Sequence, residues 1–190
     1  MTFLTGIAYP LAVVGLAEAI FPLPAGGSLV YKNGEPVGSA LIGQKFTSPA
    51  YFHGRPSAAG QSGYDAASSG GSNLGPTNRK LISTAQERIA LVQKENGLKP
   101  QTPVPGDLVT ASASGLDPHI SPEAAFLQVP RVAGTRNLPE EEVRELVERR
   151  IERPQLGILG APRVNVLLLN LALDELTQEH QGSVLKSENR

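Results

Sequence analysis

The sequence predicts an α+β fold in which an apolar N-terminal helix precedes one small domain with a hairpin and three or four helices. Residues 3–21 carry a single charge, Glu18, which is typical of a helix in an apolar environment. An Asn33-Gly34 pair between two short segments predicts a β-hairpin over residues 28–42. Beyond residue 79, apolar residues recur every three or four positions, as they do along the buried face of a helix.

The N-terminal segment, residues 3–21, predicts a transmembrane anchor. As a helix it would extend roughly 28 Å, close to the thickness of the hydrocarbon core of a bilayer. Two other interpretations stay open. The small-x-small pattern at residues 17–19 also occurs at signal-peptide cleavage sites, although this segment lacks a basic start. A buried core helix with Glu18 facing outward would have the same composition. Because Lys32 is the first basic residue, charge does not predict the orientation.

The segment after the anchor predicts a domain followed by a polar tail. A linker rich in Pro and Gly, residues 22–27, ends the first helix. Asn33 and Gly34 can adopt the two positive φ angles of a type I′ turn, and Pro36 suits an edge strand. We therefore divide the chain into an anchor at residues 1–22, a domain at residues 23–176 and a tail at residues 177–190.

A long helix is predicted over residues 79–96. Thr77 or Asn78 can cap its N-terminus, and Gly97 suits the position just beyond its C-terminus. Its helical spacing predicts one buried stripe that consists of Leu81, Ala85, Ile89 and Val92.

Further elements are predicted in the C-terminal half. Ser121, Pro122 and Glu123 have the order expected at a helix start, and Pro130 should kink or divide that helix. Another helix should span residues 139–150. A short strand at residues 164–166 and a buried closing helix that runs to Leu176 complete the domain.

Charge and composition exclude several classes of function. The 190 residues include 17 Lys and Arg against 18 Asp and Glu, and the resulting net charge of −1 provides no basic field for nucleic acid. The absence of cysteine excludes disulfides, zinc–thiolate sites and thiol catalysis. We therefore expect no nucleic-acid partner.

Three polar loops hold the candidate functional side chains, and we name them the first loop (residues 51–57), the second loop (residues 69–78) and the third loop (residues 110–122). They contain Ser, His and Asp, so a hydrolytic triad in an autonomous soluble or secreted enzyme is one hypothesis. No G-x-S-x-G pattern occurs in the chain, and a triad is defined by geometry. A hydrolase is therefore less favoured.

Two ligand-binding hypotheses also concern these loops. The second loop offers backbone amides just before a helix, which favours anions, but it lacks the G-x-x-x-x-G-K-[ST] pattern and a lysine that could reach a phosphate. His53, Asp117 and His119 are the only plausible metal cluster. They lie in two different loops without helical i,i+4 spacing, so hydrogen-bonded structural histidines are favoured and no metal site is predicted.

Several long motifs resemble a known family. The strings are YFHGRPSAAG, GYDAASSGGSNLGPTN, LVTASASGLDPHISPEAA, RVAGTRNL and PRVNVLLLNLALDEL. In this order they resemble the C subunit of the bacterial Kdp-type potassium-transporting ATPase. The resemblance begins at Leu4 and extends to about Leu176, so it covers most of the chain.

The resemblance implies a single transmembrane helix and an extracytoplasmic α+β domain at the bacterial cytoplasmic membrane. Its implied partners are a P-type ATP-hydrolysing subunit, a channel-like potassium-conducting subunit, a small peptide subunit and membrane lipid. The implied role is that of a non-catalytic, chaperone-like accessory subunit that raises the ATP affinity of the catalytic subunit. ATP and potassium ion would be handled by the complex, and we predict no cofactor bound by this subunit itself.

The resemblance also implies site residues. The second loop looks like the signature loop of ABC transporters, which suggests nucleotide contact by Ser69, Gly70, Gly71, Ser72 and Asn73. The residues that we expect to shape a docking surface are Tyr51, His53, Arg55, Asn78, Asp117 and His119. Similar proteins usually have further basic and apolar residues before the position of Thr5, so we expect the native chain to start upstream of Met1.

Overall fold

The two parts of the sequence form two compact units. The computed structural model describes residues 1–188, with side chains described through Gly182. One unit is Met1–Leu41, and the other begins at Ile42. Helices and antiparallel sheets occur in the chain, which confirms the α+β class. The hairpin groups with the N-terminal helices, whereas the sequence-based division at residue 22 placed it in the following domain.

The N-terminal apolar segment is helical over most of its length. A π-helical turn, Leu4–Ala8, leads into helix α1, Tyr9–Ile20, and a short helix α2 spans Pro22–Ala25. No residue of α1 is buried, so the structure does not support the alternative of a buried core helix. Within residues 1–188, no helix combines the length and the apolar composition that crossing a membrane requires. The membrane anchor stays a prediction.

The predicted hairpin is confirmed. Strand β1, Leu29–Lys32, pairs antiparallel with strand β2, Glu35–Ser39. Asn33 and Gly34 have φ angles of 55° and 84°, the two positive values that a type I′ turn requires. Pro36 lies in a two-stranded sheet and therefore in an edge strand, as predicted.

In the described part of the second unit, four α-helices and one 3₁₀ helix, Gly106–Leu108, accompany a small three-stranded sheet. The helices are α3 (Arg79–Glu95), α4 (Pro122–Arg136), α5 (Glu140–Arg149) and α6 (Val166–Glu188). The strands are β3 (His119–Ile120), β4 (Ile151–Glu152) and β5 (Arg163–Asn165). The strand order is β3-β5-β4, with both pairs antiparallel. The central strand β5 therefore joins the third loop to the segment after α5.

The core of this unit lies where α4, α5 and α6 pack against each other and the sheet. Because the chain has few aromatic residues, most of its buried side chains are aliphatic. The cluster includes Phe52, Val129, Val132, Val143, Val147, Val164, Leu169 and Leu173. Phe52 comes from the first loop and has no exposed surface. The first loop is thus anchored in the core by its own side chain.

Helix α3 has the predicted bounds and caps but not the predicted burial. The Asn78 side chain accepts a hydrogen bond from the Lys80 amide, and Gly97 has a φ of 64° beyond the last turn. The predicted stripe is half-buried, and of its members only Val92 packs against the main core. The buried residue of α3 is Gln93, whose amide donates 2.9 Å hydrogen bonds to the carbonyls of Pro100 and Thr102. The prediction of a buried stripe was wrong because α3 lies at the edge of the core.

The start of α4 is as predicted, but the helix is not divided. The Ser121 hydroxyl accepts a hydrogen bond from the Ala124 amide at 3.1 Å, and Pro122 occupies the first turn. Pro130 lies inside a helix that continues to Arg136. Its position is exposed, so water can satisfy the carbonyl that proline leaves without a backbone donor.

The last two elements differ slightly from the prediction. The strand predicted at residues 164–166 lies one residue earlier, because Val166 already begins α6. Helix α6 continues to Glu188 and so includes most of the tail predicted over residues 177–190. Residues 189–190 lie outside the described part of the chain.

Candidate docking site

The three polar loops are joined by short hydrogen bonds. The Gly70 amide and the Ser69 hydroxyl both donate to the Ser114 carbonyl, each at 2.9 Å. The Ser57 hydroxyl donates to the Gly115 carbonyl at 2.6 Å. The first and second loops are therefore both attached to one short stretch of the third loop.

Two glycines allow the loops to approach this closely. A Cβ atom on Gly115 would lie 2.6 Å from the Gly70 carbonyl oxygen and 2.7 Å from the Ala59 amide nitrogen, and its φ is 68°. A Cβ atom on Gly71 would lie 2.9 Å from the Ala113 carbonyl oxygen. Larger residues would force the backbones apart at both positions, so the contact between the loops depends on these glycines.

A charged cluster joins the first loop to the third. Arg55 Nη1 lies 3.0 Å from Asp117 Oδ2, and His119 Nδ1 lies 3.4 Å from Asp117 Oδ1. The pKa of the Asp117 carboxyl is lowered to about 2, chiefly by the hydrogen bond from the His119 side chain. The His119 amide and Arg55 also lower this pKa, whereas burial opposes the shift. Asp117 is therefore ionised at neutral pH. Glu152 Oε2 lies 3.8 Å from His119 Nε2 on the other side of the ring.

Tyr64 supports the same cluster from the segment between the first and second loops. Its hydroxyl donates to the Arg55 carbonyl, and its amide donates to the Ser57 hydroxyl oxygen at 2.7 Å. Burial, followed by the nearby Asp117 charge, raises the pKa of the phenol. Tyr64 was not among the predicted site residues. Its position in a loop with few other large side chains is the signal that could have identified it.

Two buried amide side chains hold the backbone of the first loop. Asn170 of α6 accepts from the Phe52 amide at 2.9 Å and donates to the Phe52 carbonyl at 3.0 Å. Gln128 of α4 makes the same pair of bonds with His53, at 2.8 and 3.1 Å. Each amide thus pairs with the loop as a neighbouring strand would. Polar residues in otherwise apolar helix positions were the available sequence signal for this role.

Arginine residues of α4 hold the start of the first loop. Arg136 donates from Nε to the Ala50 carbonyl at 2.7 Å, forms a 2.8 Å ion pair with Asp174, and lies over the Tyr51 ring at 4.5 Å from its centre. The Tyr51 hydroxyl donates to Asp174 Oδ2 at 3.3 Å. Arg131 donates to the Tyr51 carbonyl at 3.0 Å. Tyr51 therefore has a fixed position at the edge of the loop surface.

The structure separates the residues of the possible metal cluster. His53 Nδ1 lies 3.6 Å from Glu95 Oε2, and its Nε2 lies 3.0 Å from the Ser48 carbonyl, away from the Asp117–His119 pair. Burial lowers the pKa of the His53 ring, which favours the neutral form. Across residues 1–188, no group of three or more His, Cys, Asp or Glu residues is arranged to hold a metal ion.

The serines near these histidines have structural partners. The Ser57 hydroxyl is bonded to Gly115, as described above. The Ser121 hydroxyl donates to Asp107 Oδ1 at 3.2 Å and accepts from the Ala124 amide. Neither is held as a nucleophile beside a histidine base, so the loops give no support to the hydrolase hypothesis.

Arg55 lines two cavities. The first, about 360 Å³, is lined by the first loop and by α3, with His53, Tyr64, Arg88 and Glu95 among its polar side chains. The second, about 350 Å³, is lined by Asp117, His119, Ser121 and Arg163, among other residues. Arg55 is thus shared by both cavities, whereas Asp117 and His119 line only the second.

The remaining predicted residues lie at the exposed end of the second loop. Ser72 and Asn73 are exposed, and Asn73 has a positive φ of 52°. Asn78 caps α3, with its side-chain oxygen 2.9 Å from the Lys80 nitrogen. The second loop is thus attached at Ser69–Gly71 and at Asn78, while the residues between them, except the half-buried Leu74, are exposed. Nucleotide contact by Ser69–Asn73 stays a prediction.

Comparison with known proteins identifies the family of the chain. The family model described as KdpC, the c chain of the K⁺-transporting ATPase, matches residues 1–175. The chain belongs to the KdpC family. This confirms the resemblance that the loop motifs indicated, and the matched region includes all three polar loops.

Relatives in the KdpC family match along nearly their whole length. The potassium-transporting ATPase KdpC subunit of Polaromonas naphthalenivorans strain CJ2 is 58% identical over 177 residues, which are 93% of this chain and 89% of the relative. The KdpC subunit of Methylobacterium nodulans is 54% identical over 187 residues, covering 93% and 92% of the two chains. That of Nitratidesulfovibrio vulgaris is 57% identical over 169 residues, covering 89% and 85%.

Proposed function

We propose that this chain is the non-catalytic, membrane-anchored accessory subunit of an ATP-driven, high-affinity potassium uptake complex in the bacterial cytoplasmic membrane. KdpC family membership and the names of its relatives support a place in a potassium-transporting ATPase. The polar loops favour a binding role over a catalytic one. Their Ser57 and Ser121 hydroxyls are engaged in structural hydrogen bonds and are not held as nucleophiles beside a histidine base. The proposed partners are the P-type ATP-hydrolysing subunit, the channel-like subunit, the small peptide subunit and membrane lipid.

The N-terminal unit supports the anchoring part of the proposal. The π-helical turn Leu4–Ala8 and helix α1 follow each other directly and together extend ~25 Å. Large apolar side chains on this segment and at its N-cap are exposed, among them Leu11, Leu16 and the N-cap residue Phe3 at 67%, 61% and 72%. Such exposure is favourable in lipid and unfavourable in water. The second unit would then lie outside the cytoplasm, as the family resemblance implies.

The attachment of all three loops to each other is the observation that carries the docking proposal. Arg55–Asp117, Ser57–Gly115 and Gly70–Ser114 hold the loops in one arrangement before any partner binds. A surface that is already ordered loses less conformational entropy on binding than a flexible one. The exposed Ser72 and Asn73 are then presented on a fixed base. We therefore assign the loops to contact with partner subunits.

The loops can affect ATP use without touching nucleotide. If docking favours one conformation of the P-type subunit, the ATP affinity of that subunit changes by linkage. The Gly70 amide already donates to the Ser114 carbonyl, so it is not available to a phosphate group. An extracytoplasmic domain would also meet little ATP. A chaperone-like effect on ATP affinity is therefore attributed to conformational coupling.

The test combines calorimetry with assembly. The full chain in detergent should show no heat of ATP binding at millimolar nucleotide. The Ser72→Ala, Asn73→Ala double variant should be recovered with the other subunits in lower yield than wild type, because two exposed contact residues are removed. A matched control is Gln101→Ala, which truncates another exposed polar residue outside the three loops. Saturable ATP binding that the double variant abolishes would restore direct nucleotide contact.

A further inference from the structure

The loop between β4 and β5 carries the most exposed large apolar side chains in the described part of the second unit. Leu156 is 89% exposed, Ile158 is 82% exposed and Leu159 is 56% exposed. We name residues 154–162 the apolar tip. Side chains exposed to this extent contribute nothing to the core, and clusters of them mark sites of interaction.

The turn of the apolar tip holds a leucine in a conformation that leucine rarely adopts. Leu156 has a φ of 53° and Gly157 a φ of 77°, and the Ile158 amide donates to the Gln155 carbonyl at 3.2 Å. Turns of this kind favour Gly, Asn or Asp at both central positions. Leu156 therefore makes the turn less stable, and its exposed side chain gives the fold nothing in return. A role in binding explains its presence.

The backbone of the apolar tip is prepared for an apolar environment. The Gln155 and Leu159 amides each donate to the carbonyl of the other residue at 2.9 Å, and the Gly157 amide donates to the Pro154 carbonyl at 3.0 Å. Pro154 and Pro162 have no amide hydrogen. Since polar groups without partners are costly in lipid, a turn that satisfies most of its own donors can enter the membrane surface more easily.

The charges around the apolar tip favour an anionic surface. Arg153 and Arg163 lie at its two ends, and the sequence between them contains no acidic residue. Arg163 pairs with Glu152 at 2.9 Å, while no ion pair is found for Arg153 in the part of the chain that the structure describes. Arginines beside an apolar segment can reach lipid phosphates while the apolar side chains enter the acyl region.

The size of the apolar tip suits a shallow membrane contact better than a protein interface that must be stable on its own. A stable protein interface buries about 800 Å² on each partner, more than three side chains supply. A membrane contact can be smaller when the chain is already tethered, because tethering raises the effective concentration of the second contact. We propose that the apolar tip inserts into the lipid–water interface of a membrane that contains anionic lipid. This inference rests on the proposed anchoring of the chain.

The experiment uses the full chain reconstituted into vesicles. The chain has no cysteine, so single cysteines can carry an environment-sensitive nitrobenzoxadiazole label. Val14→Cys reports on the anchor, Ile158→Cys on the apolar tip, and Glu148→Cys on an exposed position of α5 as the matched control. Two quenchers are used: a doxyl group on the acyl chain near the headgroup for positions 148 and 158, and a doxyl group deep in the acyl chain for position 14, which lies near the middle of the helical segment. Vesicles of phosphatidylethanolamine and phosphatidylglycerol are compared with vesicles of phosphatidylcholine.

The expected result is loss of fluorescence at positions 14 and 158 but not at position 148. The loss at position 158 should be smaller in phosphatidylcholine vesicles, and also smaller when Arg153→Gln is added. Quenching at 14 without quenching at 158 would overturn the inference and leave the anchor intact. Absence of quenching at 14 would instead overturn the proposed anchoring. Equal quenching at 158 and 148 would also contradict insertion. The apolar tip would be assigned to a protein partner if position 158 showed no lipid quenching and was protected from aqueous iodide only when the other subunits were added.

Discussion

The first loop and the apolar tip are both irregular segments of the second unit, but they are stabilised in different ways. The first loop places Phe52 in the core, and Gln128 and Asn170 bond its backbone. The apolar tip is held by its own turn and exposes Leu156 and Ile158. This difference is consistent with the two proposals, a fixed docking surface in the first loop and an apolar tip that is buried elsewhere.

The largest expected effect comes from breaking the support of the first loop. Asn170→Ala removes both partners of the buried Phe52 peptide groups, so the free energy of unfolding should fall by about 2–4 kcal/mol. Urea unfolding of the full chain in detergent, followed by near-ultraviolet circular dichroism, measures this change. Gln101→Ala is the control, since Gln101 is exposed. Equal stability of the two variants would mean that the amide does not hold the loop.

A second substitution separates the loops from each other. Gly115→Ala should lower the free energy of unfolding by about 2–3 kcal/mol, because a new Cβ would collide with the Gly70 carbonyl at a positive φ. Gly106→Ala is the matched control, with no atom within 4 Å of the added methyl group. The same unfolding measurement checks both. If Gly115→Ala behaved like its control, the close contact between the loops would not exist.

The contacts of Asp117, which attach the first loop to the third, should make a pH-dependent contribution to the free energy of unfolding. Asp117→Asn should lower the free energy of unfolding at neutral pH by about 1–2 kcal/mol, allowing for partial exposure. Because the folded-state pKa is lowered from 3.8 to about 2, this contribution is present above pH 3.8 and is lost as the pH falls through about 2.

Thermal unfolding of wild type and of Asp117→Asn across this pH range measures how much Asp117 contributes to the free energy of unfolding. The difference between them should shrink toward pH 2, while Glu87→Gln, on the exposed side of α3, should show no such trend. A difference that stayed constant with pH would argue against the Asp117 carboxylate, with its His119 hydrogen bonds and its Arg55 ion pair, as its source.

The smallest expected effect has the opposite sign and concerns the apolar tip. Leu156→Asn should raise the free energy of unfolding by up to about 1 kcal/mol, because asparagine tolerates a positive φ better than leucine. The same variant should lose lipid contact at the apolar tip. Leu159→Asn, where no positive φ is found, should not be stabilised. Destabilisation by Leu156→Asn would show that Leu156 supports the fold.

Local signals were sufficient for the elements but not for the contacts between them. The Asn33-Gly34 turn, the Asn78 cap and the Ser121 cap follow from a few neighbouring residues and were predicted correctly. Arg55 and Asp117 were both selected as site residues, but their pairing spans 62 positions, and no periodic pattern reveals it.

The supporting side chains were harder to predict. Gln128 and Asn170 are polar residues at buried helix positions, which a hydrophobic pattern treats as interruptions. The burial of α3 was overestimated because spacing shows which side faces inward, not how much core is available to cover it. The assignment of function depended on long motifs and on family membership, since the geometry of the loops alone indicates only a binding surface.

The ATP dependence of the reconstituted complex tests the central claim most directly. ATP hydrolysis is measured against ATP concentration for the complex with the wild-type chain, with the Ser72→Ala, Asn73→Ala variant and without the chain. Omission of the chain should weaken the apparent ATP affinity of the complex by about 5–150-fold, the range of ordinary allosteric coupling. The complex with the double variant should have an affinity between those of the other two samples. The chain alone should bind no ATP. Unchanged ATP dependence without the chain would contradict the account.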